Sequence, residues 1–138
     1  QARADRQATH RRIAQVLQDS FPDSVAARPE LLAQHLSSAG EIRQSIDYWI
    51  KAGQRAISGS ANQEAIAHFN HGLRLLMTLP ASPERDQTEF SILVGLCPAL
   101  HATHGYGSED ATRVTARVSA LRELVADSPE LFLAEWTR

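Results

Sequence analysis

The side chains most capable of chemistry sit at helical spacings. His68 and His71 are three residues apart, as are His101 and His104, so each pair could offer two imidazoles from one helix face. Zinc takes three or four ligands, and neither pair encloses a Glu as in the H-E-x-x-H arrangement. Both pairs therefore read as surface or groove histidines rather than metal ligands. Cys97 and His101 stand one turn apart, a spacing that suits a thiolate–imidazole contact. On an apolar stripe, however, a lone cysteine reads as a buried structural residue. "GYGSE" (105–109) is the nearest approach to a phosphate-cradling loop. It has no lysine, and Glu109 and Asp110 would repel phosphate, so it reads as a turn between helices. Arg3, Arg6, Arg11 and Arg12 cluster near the start and read as a solvated face or an interdomain contact. No catalytic, cofactor-binding or metal-binding set emerges.

The elements that must position these residues are helical. Of the 138 residues, 43% are hydrophobic and only 6% aromatic, with Ala, Leu, Gln, Glu and Arg plentiful. That length suits one domain or a short repeat array. The net charge of −2 gives no global pull toward nucleic acid or an anionic membrane. No apolar run approaches the roughly 18 residues that span a bilayer. A single cysteine suits a reducing, cytoplasmic setting. The start at Gln1 and the apolar run "ELFLAEWTR" at the end lead to the expectation of a segment from a longer protein.

Periodicity predicts a first helix over about 5–21, with Ile13, Val16, Leu17 and Phe21 inward and Pro22 as the stop. A second opens at Pro29, turns Leu32, Leu36 and Ala39 inward and ends at Gly40. A third, over 42–58, carries the longest stripe: Ile42, Ile46, Trp49, Gly53, Ala56 and Ile57. Ser60 and Gln63 have capping-box spacing before a fourth helix, which runs to Leu79 with Ala65, Ile66, Phe69, Leu73 and Leu76 inward. Ser82 and Pro83 open a fifth, to about residue 102, whose stripe is Phe90, Leu93, Val94, Cys97 and Leu100. Pro98 predicts a kink or a split in it. Ser108 caps a sixth helix bearing Val114, Val118, Leu121 and Val125, and a truncated seventh begins at Pro129. The expected pairs are 5–39, 42–79 and 83–126.

Residues 45–52 align with 65–72: Ser45/Ala65, Ile46/Ile66, Trp49/Phe69 and Ala52/Gly72. The shared order is small, Ile, large aromatic, small. Trp49, Gly53, Ala65, Phe69 and Gly72 thus resemble the tetratricopeptide-repeat signature, with Trp49 and Gly53 on a first helix and the other three on a second. Pro80 arrives later than the family's terminal proline, and Ala52 and Ala56 stand where leucine and tyrosine are usual. Ala33, Gly40, Ser45, Trp49 and Ala52 fit the same template one helix earlier. The resemblance implies an all-α, right-handed solenoid of about six to seven helices.

A wider resemblance covers most of the chain. "HRRIAQVLQDSFPD", "PELLAQHLSSAGEIRQSIDYWIKAGQRAISGSANQEAIAHFNHGLRLLMTLP", "PERDQTEFSILVGLCPALHATHGYGSED" and "PELFLAEW" are similar to helical repeat regions of large bacterial signalling proteins. In those proteins the repeats follow a STAND-like signal-transduction ATPase module, often preceded by a class III adenylate/guanylate cyclase domain. The resemblance implies a non-catalytic regulatory segment whose partners are proteins, either domains of the parent or a separate chain. ATP or GTP and Mg would belong to other domains of the parent. The alternative is the repeat region of an ATP-dependent transcription regulator or of a kinase-linked ATPase. Carried over residue by residue, the groove-facing positions are Asp47, Ile50, Gln54 and Ile57. Ile50 and Ile57 also suit packing against the second helix, and both readings stand at this point.

Overall fold

The computed structural model describes residues 2–126. It is all-α, with seven helices: α1 (Ala2–Ser20), α2 (Pro22–Ala27), α3 (Pro29–Ser38), α4 (Ile42–Ser58), α5 (Asn62–Leu76), α6 (Pro83–His104) and α7 (Glu109–Ala126). The expected truncated helix from Pro129 lies outside the described residues. Among the described residues no strand occurs and no helix is long and apolar enough to cross a membrane. From α4 onward each helix packs most extensively on its neighbours in the chain, α3 packs on α4 and next on α1, and α4 also touches α6. The turns between helices are short, so consecutive long helices run antiparallel and stack into a layered, repeat-like array.

The turns repeat as the helices do. At the end of α3, Gly40 has φ +83°, its N–H reaches the Ser37 carbonyl at 3.1 Å, and the Glu41 N–H reaches Leu36 at 2.9 Å. At the end of α4, Ser60 has φ +61°, its N–H reaches Ile57 at 3.0 Å, and the Ala61 N–H reaches Ala56 at 2.8 Å. Both are Schellman turns, in which a left-handed residue lets two N–H groups satisfy orphan carbonyls. The capping box expected of Ser60 and Gln63 is therefore absent: Ala61 occupies the N-cap of α5, with no side-chain bond. Ser60 is already committed to ending α4. The Ser82 and Ser108 caps do form, each hydroxyl accepting a backbone N–H (of Arg85 and Ala111) at 3.1 Å.

Three other expectations are corrected. The segment after Pro22 forms the short α2, because Pro22 starts a helix just as Pro29 does. α1 is rotated from its expected face: Ala14 is buried and Leu17 half-buried, while Ile13, Val16 and Phe21 are exposed. Polar contacts fix that rotation. His10 hydrogen-bonds His35 of α3 at 2.9 Å, and Arg11 donates to the Ala39 carbonyl at 3.1 Å and pairs with Glu41 at 3.2 Å. Of the kink or split expected at Pro98, the split does not occur: α6 runs on through Pro98 to His104. Val94, whose carbonyl loses its partner there, lies with Pro98 on the exposed side, where water can take the lost bond.

The main core runs across α4 to α7, and a smaller cluster (Ala14, Leu32, Leu36) joins α1 to α3. At the centre of the larger one is Phe69, 1% exposed. A Cβ built on Gly53 of α4 would lie 2.6 Å from its ring, and one on Gly95 of α6 would lie 2.7 Å away. The ring occupies space that two helices leave by carrying no side chain. Trp49, also buried, lies over Gly72, where an added Cβ would come within 3.3 Å of the Trp49 Cβ. Ser45 is fully buried and donates to the Ala33 carbonyl at 2.7 Å, so a small polar residue ties α4 to α3. Glu89 of α6, nearly buried, takes a bidentate pair from Arg117 of α7 at 2.9 and 3.0 Å.

Two predictions follow from this geometry. Gly53→Ala gains about 1 kcal/mol of helix propensity, but overpacking against Phe69 costs about 1–3 kcal/mol. Denaturant melts should place the variant below the native chain, and Phe69→Leu should cancel most of that penalty in the double variant. A Gly53→Ala chain more stable than the native one would mean the ring does not need the vacated space. Ser60→Gly should raise stability by about 1 kcal/mol, since a non-glycine residue in the left-handed region costs about that much. An unchanged or lowered midpoint would count against that turn.

Candidate functional site

The residues singled out by sequence fall into three places. Trp49, Gly53, Ala65, Phe69 and Gly72 are all buried and form the packing just described. The four candidate groove positions lie along one face of α4, with Asp47 and Gln54 exposed. Ile50 and Ile57 are half-buried and pack against the main core. Asp47 lines a small cleft with Arg43 and Arg85, and Gln54 lines a different, larger one. A stripe at positions 47, 50, 54 and 57 therefore straddles the edge between core and solvent.

The larger cleft, of about 490 Å³, lies between α4 and the α1–α2–α3 end. Its apolar wall is Pro22, Val25, Ala26, Pro29 and the Tyr48 ring, and its polar rim is Gln18, Lys51, Gln54 and Arg55. Tyr48, Lys51 and Arg55 recur at helical spacing on one face of α4, one position round from the stripe expected. The Lys51 Nζ sits 4.6 Å from the Tyr48 ring centroid, a cation–π contact that holds the ammonium beside the apolar wall. Val25 and Tyr48 belong to the edge of the smaller apolar cluster, so the wall is ordered by packing before any ligand arrives. Sequence reading missed Tyr48, Lys51 and the α2 wall. A face of three large polar-tipped residues on α4 was the available signal; the cleft opposite it depended on a helix too short to show periodicity.

The histidines take varied roles. His71 stacks on the Trp49 indole at 4.5 Å between centroids, and His68 lies at 5.6 Å on the same ring. Burial, then Arg74 and His68, hold the His71 pKa below its ordinary value. His101 stacks on Tyr106 at 4.3 Å, while His104 is exposed. Burial pushes the Cys97 thiol up, which disfavours a thiolate paired with His101. Among the described residues no group of three or more His, Cys, Asp or Glu is placed to hold a metal ion. Gly105 and Gly107 of the "GYGSE" turn face open space. Of the four early arginines, all exposed, Arg11 is tied to Glu41 and to α3.

No protein-family model matches the chain, and no solved structure matches it. An uncharacterized protein of Rhizobium meliloti (strain 1021) is 28% identical over 136 residues. That match covers 97% of this chain and 13% of the relative, so the chain spans a small part of the curated protein it matches.

His35, paired with His10, gives stability a pH dependence through its own lowered pKa. Burial, then the nearby His10, hold His35 below its ordinary pKa of about 6.5. The unfolded chain then binds a proton more readily than the folded one, so stability is complete above about pH 6.5 and is lost as pH falls from there through the lowered folded value. His71 acts in the same direction. Urea midpoints measured over this range should fall on acidification. His35→Gln should flatten part of the slope and His35→Gln/His71→Gln most of it. An unaltered slope in the double variant would remove both histidines from the effect.

Proposed function

We propose that this chain is a non-catalytic, tetratricopeptide-type interaction module that regulates a larger bacterial signalling protein. The observation that carries the reading is the division of labour on α4. One side of the helix is spent on the core, and the other presents Tyr48, Lys51, Gln54 and Arg55 to an open cleft with an apolar wall. Sites that hold a protein segment combine such an apolar centre with a polar, solvated rim. The repeated Schellman turns and the contact between α4 and α6 support stacked helix pairs, in which first helices of successive pairs are neighbours.

The parent, on the resemblance of the repeats, joins a STAND-like ATPase module to an adenylate/guanylate cyclase domain and works in the cytoplasm. The much greater length of the Rhizobium relative accords with further domains. Nucleotide and Mg bind in those domains. Here a segment of the ATPase or cyclase, or of a separate protein, occupies the cleft, and its differential contact with two docked arrangements couples occupancy to output.

A photoreactive residue in place of Gln54 in the full-length protein tests this directly. It should cross-link to a polypeptide that peptide mapping identifies, and Tyr48→Ala should change the ratio of stimulated to basal cyclic nucleotide synthesis. Labelling by solvent alone, with and without nucleotide, would end the interaction reading. Cyclic nucleotide made by the isolated chain from ATP or GTP with Mg would end the non-catalytic one. A parent without cyclase output under any condition would remove the cyclase assignment alone.

A further inference from the structure

We infer that the cleft beside α4 takes an acidic protein segment anchored by an apolar side chain. The inference rests on the interaction reading above and specifies the chemistry of the partner.

Charge distinguishes this cleft from two of its neighbours. The cleft at Asp47 sets Arg43 and Arg85 against Asp47 and Glu84. The one beyond Gly59 sets Arg28 and Arg55 against Glu30 and Glu64. The cleft beside α4 has two cations, Lys51 and Arg55, and no carboxylate in its lining. Among the described residues neither cation forms an ion pair. Arg55 stands between this cleft and the one that holds Glu30 and Glu64, while Lys51 shares no lining with a carboxylate and is the charge most fully left for a ligand to neutralise, in a chain whose net charge is −2.

The form of the partner follows from the spacing. Lys51 and Arg55 are separated by one helical turn, with about 6 Å between their Cβ atoms. A segment with two carboxylates at that separation can meet both at once. Arg55 offers a planar fork to one carboxylate and Lys51 a point charge to the other. In the same lining Tyr48 of α4, Val25 of α2 and Pro29 of α3 can receive one leucine-sized side chain from the same segment. Pro22 and Pro29 stiffen the wall, so little conformational freedom is lost on binding. Gln18 and Gln54 on the rim can bond the segment's backbone. An apolar anchor gives affinity, while the paired charges set register and exclude basic segments.

The test uses the chain and a set of labelled synthetic peptides, read by fluorescence anisotropy. The reference peptide carries one leucine between two glutamates placed a helical turn apart. Its counterparts replace the glutamates by lysines, replace them by glutamines, or replace the leucine by serine. The acidic peptide should bind saturably, more weakly as salt rises, and should lose about tenfold in affinity against Lys51→Ala/Arg55→Ala. Both side chains are exposed, and unchanged helix content will show that the variant folds. In Lys51→Glu/Arg55→Glu the preference should invert toward the lysine peptide. Equal binding of the glutamine peptide would overturn the acidic assignment and leave the interaction reading standing. Failure of every peptide to shift the resonances of Tyr48 and Val25 would overturn both. Binding of anionic lipid vesicles that equally required Lys51 and Arg55 would replace the protein segment by a membrane surface and also overturn the inference.

Discussion

The ring of Phe69 fixes the spacing of three helices. It belongs to α5 but fills volume that α4 and α6 vacate at Gly53 and Gly95. Either glycine replaced by any other residue would put a carbon inside van der Waals contact with a ring that is 1% exposed and has nowhere to go. The usual cost of glycine in a helix, about 1 kcal/mol at each position, is offset by burying an aromatic ring at close approach. That trade can be made only if the helices are already in register, so Phe69 is as much a register device as a source of apolar burial. Trp49 over Gly72 is a second, looser version of the same arrangement, with α4 now supplying the aromatic and α5 the gap.

That lock explains why α4 can carry a cleft. Ile46, Ala56 and, more loosely, Ile42, Ile50 and Ile57 commit one side of the helix to the core. A third direction is tied to α3 through the Ser45–Ala33 hydrogen bond. With its rotation fixed on those sides, Tyr48, Lys51 and Arg55 are aimed by the helix rather than by flexible loops. The opposite wall is less firmly built. α2 has no buried residue, and α1 is held on α3 by a small apolar cluster, an ion pair and two imidazoles. Val25 at the edge of the smaller apolar cluster and the two prolines nevertheless order that wall before any ligand arrives.

Legibility in the sequence followed how much each helix buries. α3, α4 and α5 sit between neighbours, and there, as in α7 against α6, apolar periodicity announced both the extent of the helix and most of its inward residues. α1 has a neighbour on one side only, so its richest apolar stripe, through Ile13 and Val16, was free to face away while His10, Ala14 and Leu17 took the inner side. Polar pairs between distant residues decided that choice, and no local pattern encodes them. α2 is only six residues long, below the length at which periodicity speaks. Ser60 was misread because capping chemistry is ambiguous at a junction: the residue that ends one helix can resemble the one that starts the next. For the candidate cleft, one wall was visible on α4 and the other was hidden in α2. Gly95 went unnoticed although the reasoning applied to Gly53 covers it, since both are helical glycines inside apolar runs.

The same contrast bears on how function is distributed over the chain. The residues most like a family signature, Trp49, Gly53, Ala65, Phe69 and Gly72, are consumed in holding helices at close approach. Any helical stack of this kind needs such residues, so they carry fold and no choice of partner. On the interaction reading proposed above, partner choice would reside where the packing makes no demand, on exposed positions such as Lys51 and Arg55. An unpaired cation beside an apolar wall is neutral for folding but decisive for recognition, because it determines which segments can enter without leaving a charge unmatched. On that proposed reading, two copies of this scaffold with identical cores would bind different proteins if only the α4 rim differed, and two with the same rim would bind alike even if their cores had been repacked.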